Sequence, residues 1–333
     1  MKTSKLTIKE IGYVLFFTLL MLACAKKGLP PSPDRFSPHL LEIKPVNRIR
    51  VDLTFDEEIN ISRLNSENLK IVSIDQETLK VRNISQRQNT VSLFTEKTKP
   101  VVYYITGLFE DRFGNVARIN KKFMASSATD TIPPRITSIR PNLGATNVTR
   151  NILIEFGFSE PMDTASTVKF LTTPLDTSFV RWQWSTDWQT LSFGYRETLA
   201  QNATVYFALL PTLKDLENNR IKNYGYTFFT VDSSLAPILV SGDLSYNQQP
   251  YVDGVVIFSN PTSKAFTLSD KNGKFSIRLD SLVYQVLAVV DTNFDNQVDL
   301  FSELPNFNPR QTQQLKLNLL PDTAKRNIYQ NLY

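Results

Sequence analysis

Apolar and polar residues alternate with a period of two along much of this chain. Ile49-Arg-Val-Asp-Leu-Thr-Phe55 is the clearest run: every second side chain is apolar, as a half-buried strand requires. Leu69–Ile74, Leu79–Ile84, Thr90–Phe94 and Val101–Ile105 continue the series at strand length. Turn formers separate these runs, and no window keeps a helical apolar period over three turns. The pattern predicts an all-β chain.

The runs also repeat. Phe55-Asp-Glu-Glu-Ile59 aligns with Phe158-Ser-Glu-Pro-Met162, Val102-Tyr103 with Val205-Tyr206, and Asp111-Arg-Phe-Gly-Asn115 with Asp215-Leu-Glu-Asn-Asn219. The offsets are 103, 103 and 104 residues. A period of roughly one hundred residues is the size of a seven-stranded sandwich, not of a solenoid repeat. Asn tolerates the left-handed conformation second only to Gly, so Gly114-Asn115 and Asn218-Asn219 can serve the same tight turn. Pro161 fixes φ where its strand breaks, and Asp163 or Thr164 can cap a short helical turn after it. Trp182, Trp184, Phe193 and Tyr195 fall at alternate positions and are expected to line one face of the second sandwich. An exposed aromatic ligand platform is the alternative for those four.

Residues 237–320 read differently. Asp253–Phe258 is a strand, and Asp270-Lys-Asn-Gly273 between two alternating runs, within Ala265–Leu279, reads as a hairpin. A strand led by Tyr284 ends at Asp291, Leu315, Leu317 and Leu319 alternate as a last strand, and residues 321–333 form a polar tail.

At these landmarks the chain resembles known families. Asp130–Val148 has the proline-led first strand and turn of the bacterial Ig-like domains of surface-layer and envelope proteins. Ile152–Asp163, ending Phe-Ser-Glu-Pro-Met-Asp, and the closing Tyr226–Thr230 continue the likeness, whereas the first copy lacks the Pro-Met-Asp ending. The Thr267–Ile277 segment and the Tyr284 strand resemble carboxypeptidase-regulatory or transthyretin-like modules, which are small seven-stranded sandwiches and not peptidases. These resemblances imply Ig-like sandwiches at 39–128 and 130–232 and a smaller transthyretin-like sandwich at 237–320.

The N-terminus sets where such a protein is held. Lys2, Lys5 and Lys9 precede an uncharged run, Ile11–Ala23, of 13 residues, well short of the roughly 20 that a spanning helix needs. A positive start, a short apolar core and a small residue before a cysteine describe a cleaved export signal over residues 1–23, the one helix expected in the chain. Leu20-Met-Leu-Ala-Cys24 resembles the lipobox of bacterial lipoproteins, although Met21 and Leu22 depart from its commonest pair. The resemblance implies that Cys24 is lipidated and becomes the mature N-terminus; a plain secretory signal with an incidental cysteine is the alternative. Residues 24–38 carry four prolines and form a stiff spacer.

Composition narrows the chemistry. Beyond residue 23 there are 34 basic and 31 acidic side chains with no basic run, so nucleic acid is not an expected partner. Cys24 is the only cysteine, so the domains stand on hydrophobic burial without disulfides. His39 is the only histidine, which leaves Ser-His, Cys-His and zinc chemistry without support. The acidic pairs Glu57/Glu58 and Glu160/Asp163 sit at strand ends in a repeated motif and read as turn residues rather than a hydrolytic pair. No enzyme is expected.

One loop suggests a metal. In Asp291-Thr-Asn-Phe-Asp-Asn-Gln-Val-Asp-Leu-Phe-Ser-Glu303, oxygen-bearing side chains fall at positions 1, 3, 5, 7 and 9, and Asn296 holds the sixth, where a sharp turn is needed. Ca²⁺ takes six to eight such oxygens. The start resembles an EF-hand or dockerin loop, but Ser302 stands at position 12, the glutamate follows one later, and no helices flank it. Asp291, Asn293, Asp295, Asp299 and Glu303 are the candidate calcium ligands; a polar turn closing a buried strand is the alternative.

The sequence thus predicts a lipid-anchored protein of a bacterial cell envelope, with the outer membrane or cell surface favoured. Its role would be structural, adhesive, or binding of a protein or polysaccharide partner. The alternatives are a periplasm-facing assembly factor that adds a partner strand to an open sheet edge, or an accessory subunit of a carboxylate-dependent hydrolase.

Overall fold

The computed structural model describes residues 34–174, 176–324 and 326–327. The export signal and Cys24 lie outside the described residues. The chain is all-β, and among the described residues the only helical elements are 3-10 turns at Ile61–Arg63 and Thr177–Phe179. No helix among them is long and apolar enough to cross a membrane.

The first sandwich is built from β1 (Leu40–Asn47), β2 (Arg50–Phe55), β3 (Leu69–Ser73), β4 (Thr78–Leu79), β5 (Val81–Arg87), β6 (Thr90–Thr95), β7 (Val102–Glu110) and β8 (Val116–Met124). One sheet has the order β1-β2-β6-β5 and the other β4-β3-β7-β8. The alternation read in the sequence is what closes it. Val51, Leu53 and Phe55 of β2 face Ile71, Ile105 and Phe109 of the other sheet in one apolar cluster, each 1% exposed or less. The intervening Arg50, Asp52 and Thr54 stay at the surface, where Arg50 pairs with Asp52 at 2.8 Å.

The second sandwich repeats this plan with β9 (Ile136–Arg140), β10 (Ala145–Val148), β11 (Leu153–Phe158), β12 (Phe170–Thr173), β13 (Val180–Trp184), β14 (Thr190–Tyr195), β15 (Thr204–Leu209) and β16 (Gly225–Val231). Its sheets run β13-β14-β11-β9 and β10-β16-β15-β12. It differs from the first in two strands: nothing corresponds to β4 beside β12, and β10 runs parallel to β16 and covers its outer edge, Ala145 opposite Phe229 and Val148 opposite Val231. No short helix follows Pro161. Asp163 instead accepts the Ala165 N–H at 3.1 Å and closes a turn.

The third unit comprises β17 (Ile238–Tyr246), β18 (Gln249–Pro250), β19 (Val255–Ser259), β20 (Lys264–Leu268), β21 (Lys274–Leu279), β22 (Tyr284–Val290), β23 (Leu300–Phe307) and β24 (Gln314–Pro321). The strand path is β18-β17-β24-β23-β22-β19-β20, with β21 on the far side of β17. The hairpin read at Asp270–Gly273 is corrected here: β20 pairs with β19 and β21 with β17, so the turn carries the chain between layers. The turn chemistry is right, with Asp270 Oδ1 accepting the N–H groups of Asn272 and Lys274 and Gly273 at φ +72°. Core packing decides the rest: Phe266 on β20 and Phe275 and Ile277 on β21 bury their side chains in one cluster only if the strands separate into facing layers. The described part of the tail is not loose. The Arg326 guanidinium lies 4.2 Å from the Phe301 ring centre and pairs with Asp322 at 2.8 Å.

Sheet β10-β16-β15-β12 is buried on both faces. Val205, Phe207 and Leu209 of β15 enter the second sandwich's own core, while Tyr206, Ala208 and Leu210 join the apolar cluster of the third unit. The third unit's edge strand β20 meets this outer face: the Thr173 hydroxyl donates to the Lys264 carbonyl at 3.0 Å and the Tyr226 hydroxyl to the Phe266 carbonyl at 2.8 Å. An exposed strand edge is thereby satisfied and covered.

Candidate functional site

The sequence landmarks at Asp111 and Asp215 become two copies of one corner. Asp111 Oδ1 accepts the N–H groups of Phe113 and Asn115, each at 2.8 Å, and Oδ2 accepts Asn115 Nδ2 at 2.7 Å. Asp215 does the same with Glu217 and Asn219, at 2.8, 2.8 and 2.7 Å. The second amide hydrogen of each Asn ties down the incoming chain, at the carbonyl of Asp34 in one unit and of Asp130 in the other. The left-handed positions expected of the turn are filled by Gly114 at φ +90° and Asn218 at φ +70°. The corner positions structure; both carboxylates are almost fully buried and already satisfied.

Other acidic side chains gather around each corner. Asp34, Glu57 and Asp111 bring carboxylate oxygens within 4.8 Å of one another, and among the described residues no other trio of His, Cys, Asp or Glu does so. Burial and the nearby Asp111 raise Glu57, whereas at Asp111 the hydrogen bonds from Asn115 and the backbone outweigh burial and hold the carboxyl below its ordinary range. In the second sandwich burial wins. Glu160 is pushed up to about 7, by desolvation first and then by Asp130 and Asp215, and Asp215 is raised by desolvation despite the same hydrogen bonds as Asp111. The difference comes from the first sandwich packing over this end: Arg48 pairs with Glu217 at 2.6 Å and Asn47 Nδ2 donates to Asp130 at 3.1 Å. His39 is exposed and hydrogen-bonds Asp56 at 3.1 Å, away from any nucleophile–base pair among the described residues.

The 291–303 loop uses its oxygens on itself. Asp291, 3% exposed, accepts the N–H of Asn296 at 2.8 Å and of Asp295 at 3.2 Å. Asn293 Oδ1 accepts Asp295 N–H at 2.9 Å, and Asp295 Oδ1 accepts Gln297 N–H at 2.8 Å. Asp299 holds the backbone and hydroxyl of Thr292 at 2.9 and 2.5 Å. Glu303 belongs to β23 and accepts Gln285 Nε2 at 2.7 Å. A cation is already in reach, because the Lys169 ammonium of the second sandwich donates to the Phe294 carbonyl and, at 3.1 Å, to Asn296 Oδ1. Asn296, at φ +76°, makes the sharp turn read at the sixth position. These contacts make a self-capped turn held by a lysine. Lys169 lies some 120 residues before the loop, and no local signal marks it.

The aromatic stripe of the second sandwich is mainly core. Phe193 is 1% exposed, Trp184 packs on Phe158 at 5.7 Å, and the Tyr195 hydroxyl meets Thr172 at 2.6 Å. Trp182 stands opposite Phe193 on the same face, but on edge strand β13 it is 44% exposed. A concavity of about 960 Å³ lies on the first sandwich under the second sandwich's Thr186–Trp188 turn. Leu64, Leu69 and Leu79 line it, Lys80 and Arg82 rim it, and Asn83 anchors the turn through the Thr186 carbonyl at 3.1 Å. Its size and mixed lining suit a ligand or peptide contact, and it became visible only when the two sandwiches met.

Comparison with known proteins places these features. The sequence model of the bacterial Ig-like domain family matches residues 130–230, the second sandwich. No curated protein matches the chain. Among solved structures, the N-terminal part of the bacterial S-layer protein SbsC is similar at 10% identity, over 69% of this chain and 50% of that one, with a TM-score of 0.25. Domains 1–6 of surface layer protein SbsC match at 10% identity over 94% of this chain and 44% of theirs, with a TM-score of 0.30. A run of domains from titin matches at 8% identity over 82% of this chain and 94% of its own, with a TM-score of 0.24. The chain spans about half the length of the S-layer fragments it matches.

Proposed function

We propose that this protein is a lipid-anchored component of a bacterial cell envelope whose sandwiches form a structural or adhesive module binding a protein or polysaccharide partner. The observation that carries the reading is the bacterial Ig-like match at residues 130–230, together with the repetition of its corner and sheet order in the preceding unit. The anchor rests on the sequence at Leu20–Cys24, and diacyl or triacyl attachment there would hold the chain far more firmly than a single acyl chain. The third unit, with its Tyr284 strand, is read as the transthyretin-like module of that assembly.

The test is fractionation of cells expressing the chain and its Cys24→Ala variant, followed by protease treatment of intact cells. Release of the variant into the soluble fraction supports the anchor, and its retention in the membrane rejects it. Degradation on intact cells supports a surface adhesive or layer-forming role. Protection until the envelope is opened shifts the role to the periplasm-facing side.

A further inference from the structure

The two Ig-like sandwiches differ at both edges of one sheet: β4 lies beside β3 only in the first and β10 beside β16 only in the second, and the latter difference leaves β8 with one open side among the described residues. In the second, β16 follows the Asp215 corner and is covered by β10. In the first, β8 follows the Asp111 corner in the same way, but the segment that supplies β10 has no counterpart. β1 pairs with β2 along its length and turns back at Asn47–Arg50. Among the described residues β8 pairs with β7 alone and ends its sheet.

Its hydrogen-bonding pattern follows from the ladder. Asp111 N–H donates to the Asn115 carbonyl at 3.0 Å and Ala125 N–H to the Val101 carbonyl at 3.1 Å. Those two bonds, with the antiparallel register Glu110–Val116 to Val102–Met124, direct the odd-numbered groups of β8 toward β7. The N–H and C=O groups of Val116, Arg118, Asn120, Lys122 and Met124 therefore point outward along an edge of nine residues that is open among the described residues.

Charge selects the occupant. β8 carries Arg118, Lys121 and Lys122 and no acidic residue. Lys121 shares the core-side face with Ile119 and Phe123, both buried, yet it is exposed. A charge placed there repels an apolar strand, and a second copy of β8 would set like charges together. A strand bearing carboxylates answers both Lys121 and Lys122.

We propose that β8 is an acceptor edge for an extended acidic segment of a partner protein, which takes the place that β10 holds in the second sandwich. The added strand pairs its backbone with the outward groups from Val116 to Met124, and its carboxylates pair with Lys121, Lys122 and Arg118. This goes beyond the anchoring reading and stands independently of it, because the edge belongs to the fold wherever the protein resides.

The test uses the full-length purified chain and two labelled, end-blocked eight-residue peptides, one repeating Val-Val-Glu-Glu and one repeating Val-Val-Lys-Lys so that both faces of the added strand carry charge, followed by fluorescence anisotropy. The Val/Glu peptide is expected to bind at least ten-fold more tightly than the Val/Lys peptide. Asn120→Pro removes an N–H that faces solvent, a position where an edge strand tolerates proline, and should weaken Val/Glu binding at least ten-fold with the unfolding midpoint held within a few degrees. Lys121→Glu, which needs no backbone change, should reverse the preference between the two peptides. Equal binding of both peptides, absence of Val/Glu binding, or unchanged affinity in Asn120→Pro or Lys121→Glu would each overturn the proposal.

Discussion

Replacing Tyr206 by alanine isolates the coupling between the second and third sandwiches. The side chain projects from β15 away from its own core, stacks on Phe228 at 5.7 Å and meets Phe266 of the third unit at 5.9 Å, leaving it 5% exposed. In a second sandwich standing alone this face would lie in water, so its burial depends on the neighbouring unit. A buried aromatic of this kind covers about 150 Å² or more, which at about 25 cal/mol/Å² is worth about 4 kcal/mol. Residual contacts and relaxation reduce the expected loss to about 3 kcal/mol. For a cooperative unit of this size that is a fall of roughly 6–12 °C in Tm. The chain offers a selective probe, since its three tryptophans, Trp182, Trp184 and Trp188, all lie in the second sandwich. Tryptophan fluorescence therefore follows that unit, and far-ultraviolet circular dichroism follows the whole chain. The wild type should show one fluorescence transition that coincides with a major dichroism transition; the variant should show both lowered and drawn apart. An unchanged fluorescence midpoint in Tyr206→Ala would refute the claim that the two units share a core.

Three further outcomes follow from the site geometry. Asp215→Ala removes the acceptor for two backbone N–H groups and the Asn219 amide, and should cost about 2–4 kcal/mol in urea unfolding followed by tryptophan fluorescence; a loss under about 0.5 kcal/mol would show that the corner is replaceable. Glu160, raised from 4.5 to about 7 in the folded chain, binds a proton more tightly folded than unfolded, so its contribution is greatest below about pH 4.5 and is lost as pH rises to about 7. Because the group is partly exposed, the loss is discounted to about 1–2 kcal/mol, and Glu160→Gln should be the more stable chain at pH 8 by that amount, with the gap gone near pH 4. The 291–303 loop is held by its own N–H groups and by Lys169, so a calcium chelator should leave the unfolding midpoint in place while Lys169→Met lowers it; a chelator-induced drop of several degrees would instead support calcium at Asp291, Asn293, Asp295, Asp299 and Glu303.

Much of the architecture was written locally. The period-two runs mark strands because a pleated chain sends successive side chains to opposite faces, so Val51, Leu53 and Phe55 announce a core without knowledge of what they meet. The Asp-to-Asn corners were legible because an Asp, a left-handed Gly or Asn, and an Asn four residues on complete their hydrogen bonds within one turn. Their spacing also exposed the repeat.

What the chain could not disclose from its order lies between segments far apart in sequence. The turn at Asp270 has the chemistry of a hairpin, but whether its strands pair with each other or with β19 and β17 is set by which layers Phe266 and Phe275 must fill. The loop at Asp291 has the spacing of a metal site, but where its oxygens point depends on its own backbone amides and on Lys169, a residue of another unit. The run Thr204–Leu209 is apolar almost throughout, and only the arrival of the third unit shows that its two faces serve two cores. The edge position of β8 among the described residues is likewise invisible in its own residues, because an edge is defined by what lies beside it. Hydrophobic period and turn chemistry are properties of a short stretch of backbone, so the sequence alone determined the strands, the corners and the all-β class. Layer pairing, shared cores, ammonium–carbonyl contacts and open edges require segments tens to hundreds of residues apart to meet, so only the tertiary structure decided them.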